Sequence, residues 1–407
     1  MEEAKSKVAV IAKAGMLMPK ESMLEVAQQK NSLFIGIPKE TSFQENRIAL
    51  VPDAVALLTN NGHEVVLEAG AGKAAFFTDA EYSEAGARIA YHIEDVFKAN
   101  IILKVAPPCE AELKFLHSGQ NLFSILQLNT QTDKFFKTLA SKKVTALAFD
   151  YIKDRSGIYP IIQSMSEIAG STSLLIAAEY LSNVMHGRGE MLGGISGIPP
   201  TKVVIIGAGT VGEFATRAAI GLGAEVKIFD NSLYKLRRLQ NHLGTRLFTS
   251  IISPDAIAEA LLTADVVIGA MAPIEGRSPC VVTEEMIAKM RTGSVIVDVS
   301  IDAGGCFETS VVTNHTEPTF IKYGIIHYCV PNIASRVART ASHALSNVVT
   351  PILLNMGQAG GFEQSLWADM GVRNGIYMYK GSITNKLIAD LFKMPFKDIN
   401  LFMAARY

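Results

Sequence analysis

The sequence predicts an α/β protein: two Rossmann-like domains with a cleft between them, each a parallel sheet flanked by helices. Three observations lead there. From Leu33 onward, short apolar runs alternate with stretches of helical periodicity, the spacing of βαβ units. A glycine-rich stretch, from Gly187-Arg188-Gly189 to Gly193-Gly194-Ile195-Ser196-Gly197 and closed by Pro199-Pro200, separates two such blocks as a linker would. The second block opens with an apolar strand that runs directly into a glycine triplet and a helix. With 407 residues, 49% of them apolar and 19% charged, the chain can fill two cores of ordinary size.

Residues 1–32 mix Lys, Glu, Met and Ala and end in the polar run Gln28-Gln29-Lys30-Asn31-Ser32. They read as an N-terminal extension with one helix around Glu21 to Lys30, suited to docking or to an oligomer contact. In the first block Leu33 to Ile37, Val65 to Leu67, Ile101 to Val105, Leu122 to Leu126 and Val144 to Phe149 are strand-like, with a helix over Asp53 to Asn61. A long helix is expected around Ser166 to Val184. The strands of the second block are Lys202 to Ile206, Glu225 to Phe229, Val266 to Ile268 and Ser294 to Val299. After Pro331 the pattern turns helical through Ala341 to Met356, a path back to the first domain. The expected division is a discontinuous substrate domain, 33–165 and 335–407, with a nucleotide domain, 166–334, inserted into it.

The charge balance, Lys+Arg 38 against Asp+Glu 39, gives a net charge of -1. It favours neither nucleic acid nor an anionic membrane, which leaves a small-molecule or protein partner. The four cysteines, Cys109, Cys280, Cys306 and Cys329, form no CxxC pair, against a zinc site or disulfide framework and in keeping with a reducing cytoplasm. No metal is expected. No uninterrupted apolar run nears the roughly 18 residues of a membrane span. Val8 to Ala12, ended by Lys13, is too short for a signal peptide.

Val203-Val204-Ile205-Ile206 leads into Gly207-Ala208-Gly209-Thr210-Val211-Gly212, a G-x-G-x-x-G between a strand and a helix. Gly207 permits the tight turn, Gly209 the approach of a pyrophosphate, and Gly212 close packing of helix on strand. The helix N-terminus, including Thr210 and Val211, offers unpaired N–H groups and the positive end of its dipole. The next strand ends at Asp230, where an acid accepts from the adenosine ribose hydroxyls and repels a 2′-phosphate, favouring NAD over NADP. Lys235, Arg237 and Arg238 just beyond either meet the nucleotide or form a solvated helix face.

Several motifs together resemble the alanine dehydrogenase family, which includes the soluble nucleotide-binding part of proton-translocating transhydrogenase. They are Gly36-Ile37-Pro38-Lys39-Glu40, Glu45-Asn46-Arg47-Ile48-Ala49-Leu50, Leu103-Lys104-Val105, Met165-Ser166-Glu167-Ile168-Ala169-Gly170, Gly293-Ser294-Val295-Ile296-Val297-Asp298-Val299 and Ile301-Asp302-Ala303-Gly304-Gly305. The resemblance spans roughly residues 33 to 380. It implies reversible, NAD-dependent oxidation of a small L-amino acid, L-alanine first, to a 2-oxo acid and ammonium, commonly in a homo-hexamer.

By that resemblance Arg47 grips the substrate carboxylate, the bidentate task a guanidinium suits; the bland alternative is a pair with Glu45. Lys104, at the end of an apolar strand, serves the carboxylate and carbonyl end of the substrate, or is a surface lysine. Asp302 activates water, or merely forms a turn. Ser166, Met271, Ala272, Val299, Ile301, Asp302, Val330 and Asn332 line the NAD site, with Ser166 doubling as a helix N-cap.

One position departs. Where the family carries a proton-shuttling histidine, this chain has Gln127 in Leu122-Phe123-Ser124-Ile125-Leu126-Gln127-Leu128. An amide hydrogen-bonds but does not shuttle protons near neutral pH. Asp302 or Lys104 then carries the transfers, or the substrate is not alanine, or turnover is slow. His63, His186, His327 and His343 offer no evident replacement. Two alternatives stay open: a transhydrogenase-like subunit, against which stand Asp302 (Glu in that branch) and Met165-Ser166-Glu167 (Gln-Ser-Asn there), and a catalytically silent NAD-binding protein, for which Gln127 is the support.

Overall fold

The computed structural model describes residues 31–273 and 276–404. The helix expected over Glu21 to Lys30 lies outside them. The strands are β1 (Phe34–Ile37), β2 (Glu64–Glu68), β3 (Arg88–Ala90), β4 (Ile101–Leu103), β5 (Asn121–Ser124), β6 (Thr145–Ala148), β7 (Lys202–Ile206), β8 (Glu225–Phe229), β9 (Phe248–Ser250), β10 (Val266–Gly269), β11 (Val295–Asp298), β12 (Thr319–Lys322), β13 (Ile325–Tyr328), β14 (Ile376–Tyr379) and β15 (Ser382–Ile383).

They form two mixed, mostly parallel sheets. The first is 8-stranded, in the order β15-β14-β6-β5-β4-β1-β2-β3, and the second 7-stranded, β12-β13-β11-β10-β7-β8-β9. Strands β1 to β6 pair in parallel, and β14 and β15 add antiparallel at one edge. In the second sheet only β12 is antiparallel. Counting each sheet's parallel strands in chain order, both follow the doubly wound order 3-2-1-4-5-6. Their switch points lie between β1 and β4 and between β7 and β10. The central strands are buried on both faces, β7 as Val203 to Ile206 and β10 as Val266 to Ile268, which is why they read as unbroken apolar runs.

Two helices join the sheets. Pro160–Leu181 begins with Pro at its first turn, where the missing N–H costs nothing. It buries Ile161 in the first sheet's core and Leu174, Ile176, Ala177 and Leu181 in the second's. It is also the one helix among the described residues long and apolar enough for a membrane span, and its apolar side chains are what fill these cores. Ala338–Gln358 returns with Ala338, Leu345, Val349, Leu353 and Met356 in the first core. One expectation needs correction. The helix starts at Pro160 with Tyr159 before it, so Ser166 is an interior position and caps nothing. The division expected between 165 and 166 lies along this continuous helix, which is shared by both cores.

Candidate active site between the two sheets

Every parallel strand of the second sheet delivers its carboxyl end to one edge. Gly207 follows β7, Asp230 follows β8, Met271 and Ala272 follow β10, Val299 to Asp302 follow β11, and Val330 to Asn332 follow β13. The expected nucleotide-binding residues are thus gathered by topology at the edge where open α/β sheets bind ligands.

The glycine loop has the shape a pyrophosphate needs. Gly207 has φ +111°, and a Cβ there would lie 2.3 Å from the Ala270 carbonyl oxygen. A Cβ on Gly212 would lie 1.9 Å from the Gly207 oxygen, whereas one on Gly209 would meet nothing within 4 Å. Gly209 caps the helix Thr210–Gly221 without a side chain, leaving first-turn N–H groups facing that open space. Asp230 is buried and accepts from Ala208 N (2.8 Å) and Ser232 N (2.7 Å), so it braces the loop. Lys235 Nζ lies 3.9 Å from Asp230 and Arg238 leans toward Glu213 at 3.8 Å. Ser166 sits about one turn before Gly170, whose absent side chain brings the bridging helix against Val211; a Cβ there would be 2.4 Å from the Val211 oxygen. These residues fit a dinucleotide: an open, donor-lined cradle beside a ribose-ready acid.

On the first sheet the switch point holds Glu40, after β1, and Lys104, after β4. Glu40 accepts from Val105 N (2.5 Å) and Ala106 N (3.2 Å). Burial pushes its carboxyl up to about 7, against the pull of Lys104. Lys104 is fully buried and donates to Lys39 O (2.9 Å) and Glu112 Oε1 (2.8 Å), with Glu40 at 3.7 Å. Burial alone would lower the lysine; Glu40 and Glu112 more than offset it and hold the amine above its usual range. Lys104 is therefore no surface lysine. Two of its three donors are committed.

Arg47 is buried and does pair with Glu45, through Nε (2.8 Å) and one terminal nitrogen (2.6 Å). Burial would raise the Glu45 carboxyl, but the guanidinium and its hydrogen bonds leave it below the usual range. That pairing occupies only the side-on face of the guanidinium. The other terminal nitrogen points to Met165 Sδ at 3.4 Å, so the end-on face remains for a second carboxylate. The structural alternative and the functional one are compatible.

The two edges meet here. Asn332 donates its amide to Glu45 Oε2 (3.0 Å) and its backbone N–H to Asp302 Oδ1 (2.9 Å). Gln44 reaches Thr316 at 3.1 Å and accepts from His315 N at 2.6 Å. Asp302 is open to solvent at the mouth yet walled by protein; that burial raises its carboxyl pKa against the lowering by Asn332 N–H and Arg47. Gln127 lies on the same side of the first sheet, at φ 44°, following β5.

Three partners escaped the sequence reading: Glu40, Glu112 and Asp150, an acid two residues past the end of β6. The clue was present for Asp150, since an acid closing an apolar strand at the carboxyl edge is placed as Lys104 is. Of the histidines, His63 bonds Leu33 N, His327 stacks on Phe320 and His343 packs on Phe77, away from the site. His315, which the sequence reading did not weigh, lies at the meeting line, where its ring interacts with the Asn332 backbone and the Glu45 charge and burial lowers its pKa. A separate depression of about 600 Å³ between Lys153 and Met370 holds none of the expected site residues.

Known proteins share this fold. The family descriptions "Alanine dehydrogenase/PNT, N-terminal domain" and "C-terminal domain" match residues 36–169 and 173–386. Alanine dehydrogenase 2 of Staphylococcus aureus (strain USA300) is 38% identical over 366 residues, 90% of this chain and 98% of the relative. A solved L-alanine dehydrogenase superposes with TM-score 0.83 at 35% identity, over 88% of this chain and 99% of that one. A transhydrogenase from Sinorhizobium meliloti gives TM-score 0.73 at 25% identity, over 87% and 99%.

Proposed function

The chain belongs to the alanine dehydrogenase/PNT family, and from that premise we propose that it is an NAD-dependent amino-acid dehydrogenase converting L-alanine reversibly to pyruvate and ammonium. The observation that carries the reading is the unused end-on face of Arg47, set opposite Asp302 across the line where the carboxyl edges of the two sheets meet. The segments 33–165 and 335–407 act as the substrate domain and 166–334 as the nucleotide domain. NAD, held by Gly207 to Gly212, Asp230 and the loops at 271–272, 299–302 and 330–332, supplies the hydride acceptor.

The chain's own groups do the rest. Arg47 binds the carboxylate end-on and so fixes which face of Cα is presented. Lys104, kept charged by its two acids, places positive potential behind the carbonyl oxygen that develops. Asp302, accessible and with a raised pKa, hydrogen-bonds and orients the water that attacks the imine. Direct contacts of Gln44 and Asn332 across the lobes limit bulk water. The protein acts in the cytoplasm as a homo-oligomer.

The test is NADH absorbance with pyruvate, or another 2-oxo acid, and ammonium. Consumption with pyruvate and ammonium together, and with neither alone, is expected. Gln127 favours a second reading, a silent NAD-binding protein: NADH binding with a flat trace for every acid would establish it and remove the first.

A further inference from the structure

The proton path has a gap at Gln127, and a buried acid stands beside it. Strands β5 and β6 are parallel neighbours with Ser124 opposite Ala148. The chain leaving β5 therefore passes the turn after β6 that carries Asp150. The backbone N–H of Leu126, one residue before Gln127, faces the Asp150 carboxyl, and Asp150 Oδ1 is buried with no hydrogen-bond partner. Beside it the Tyr377 hydroxyl is likewise buried and unbonded. Arg47 is electrostatically coupled to Asp150 as well as to Asp302. The carboxylate clamp is thus flanked by two acids, one from each sheet.

We propose that Asp150 exchanges protons with the reacting carbon–nitrogen centre, in the role an imidazole would fill at Gln127. This rests on the dehydrogenase reading. Once the substrate ammonium group has released one proton to solvent and Cα its hydride to the nicotinamide, the substrate is an iminium ion. Water adds: the C–O bond forms, the C=N pair returns to nitrogen, and the Asp150 carboxylate takes one water proton. Asp150 returns it to nitrogen. As the C–N bond breaks with its pair on nitrogen, the hydroxyl proton passes to Asp150 and then to the departing ammonia. Water has become the oxo oxygen and two ammonium protons, and Asp150 ends as it began.

The protonation balance suits this task. Burial raises the carboxyl to about 7, opposed by the N–H groups of Asp150 and Leu126 and by Arg47. The titratable and charged groups facing it are Arg47 from the 41–51 loop, Tyr377 from β14 and Tyr151 from its own turn. A general base works best with a pKa near the operating pH. As carboxylate it is the base, so amino-acid oxidation gains rate as pH rises through 7.

The experiment uses the full chain with Asp150→Asn, Asp150→Glu and Asp150→Asn combined with Gln127→His. Three quantities are read: kcat/KM for the amino acid against pH, NADH affinity by fluorescence, and the carboxyl stretch of ¹³C-labelled aspartate against pH. Expected for Asp150→Asn is a loss of about 100-fold in kcat/KM, an NADH affinity within twofold, and no acid limb near pH 7. Asp150→Glu keeps part of the rate, and Gln127→His restores about tenfold in the Asn background. In the infrared, the protonated-aspartate intensity that fades near pH 7 is larger in the wild type than in Asp150→Glu, where Asp298 and Asp302 still contribute; equal intensity in the two overturns the proposal even if the Asn variant does not fold. An active wild type whose Asp150→Asn form keeps its rate and acid limb overturns this proposal alone. A wild type inactive with every acid overturns the dehydrogenase reading and this one with it.

Discussion

Gly209 and Gly212 share one loop and should fail in opposite ways when changed to alanine. At Gly212 the new methyl would sit 1.9 Å from the Gly207 oxygen, a backbone atom that moves only if β7 or the helix moves. Overpacking of that kind costs about 1–3 kcal/mol or more, so Gly212→Ala should lower the unfolding midpoint and weaken NADH binding together. At Gly209 the backbone (φ -74°, ψ -166°) is open to alanine and the methyl meets nothing within 4 Å. The weaker helix cap, about 0.5 kcal/mol, roughly cancels the reduced freedom of the unfolded chain. Stability should stay within about 1 kcal/mol of wild type. The methyl would nonetheless occupy the space assigned to the pyrophosphate. Losing one or two hydrogen bonds to a charged group amounts to about 2–4 kcal/mol, roughly 30- to 700-fold in affinity. NADH fluorescence titration beside urea unfolding separates the cases. Should Gly209→Ala bind NADH within twofold of wild type, the dinucleotide does not lie along this turn.

Three further outcomes follow from the charge network. Arg47→Lys removes the fork that meets Glu45 on one face and leaves the other for substrate, so KM for the amino acid should rise about 100-fold with NADH affinity unchanged; a KM within threefold of wild type would place the carboxylate elsewhere. Lys104→Met strands Glu40 and Glu112 in a buried site, and breaking such a pair costs about 3–5 kcal/mol, to be read as a drop in urea midpoint that Glu112→Gln partly reverses. The folded-state pKa of Glu40 is about 7 against an ordinary 4.5, so its stabilising share is complete below about pH 4.5 and is lost as pH rises through 7. Buried histidines with lowered pKa act in the opposite direction, so the test is differential: stability of Glu40→Gln should decline less between pH 5 and 8 than that of wild type. An identical slope would show that Glu40 does not titrate in this window.

Much of the architecture was legible because its signals are local. β7 and β8 coincide with their predicted bounds, since Lys202 to Ile206 and Glu225 to Phe229 are apolar runs punctuated by glycine and acid. What the sequence hid is pairing. Phe248–Ser250 is short and half exposed, so no periodicity marks it as β9. The hairpin of β14 and β15 joins the first sheet only because the Ala338–Gln358 helix carries the chain back across. In the site, Arg47, Lys104 and Asp302 were named from motifs, and their gathering follows from strands that end at common edges. Glu112 and Asp150 were not named. Their importance arises from burial beside Lys104 and Arg47: Glu112 folds back on Lys104 from the short helix that follows β4, and Asp150 faces Arg47 from the carboxyl end of another strand.

The same geometry explains how a substrate clamp on one sheet is kept in register with a cofactor edge on the other. The 41–51 loop that carries Arg47 has few bonds to its own strands. It is fastened to the C-terminal crossing: Asn46 N donates to Ser335 Oγ (2.9 Å), Ile48 N to Ser342 Oγ (2.9 Å) and Val51 N to Ser346 Oγ (2.8 Å). Ser342 and Ser346 are one helical turn apart on Ala338–Gln358, so one face of the helix satisfies donors that a strandless loop would otherwise bury unpaired. That helix starts just after Asn332, the residue bonded to both Glu45 and Asp302. Arg47 is therefore referenced to the nucleotide edge through a rigid element, and a shift of the Asn332 loop is transmitted to the guanidinium through Glu45 as well as through the serine face. Clamp and cofactor edge are tied together because the chain crosses back at that point.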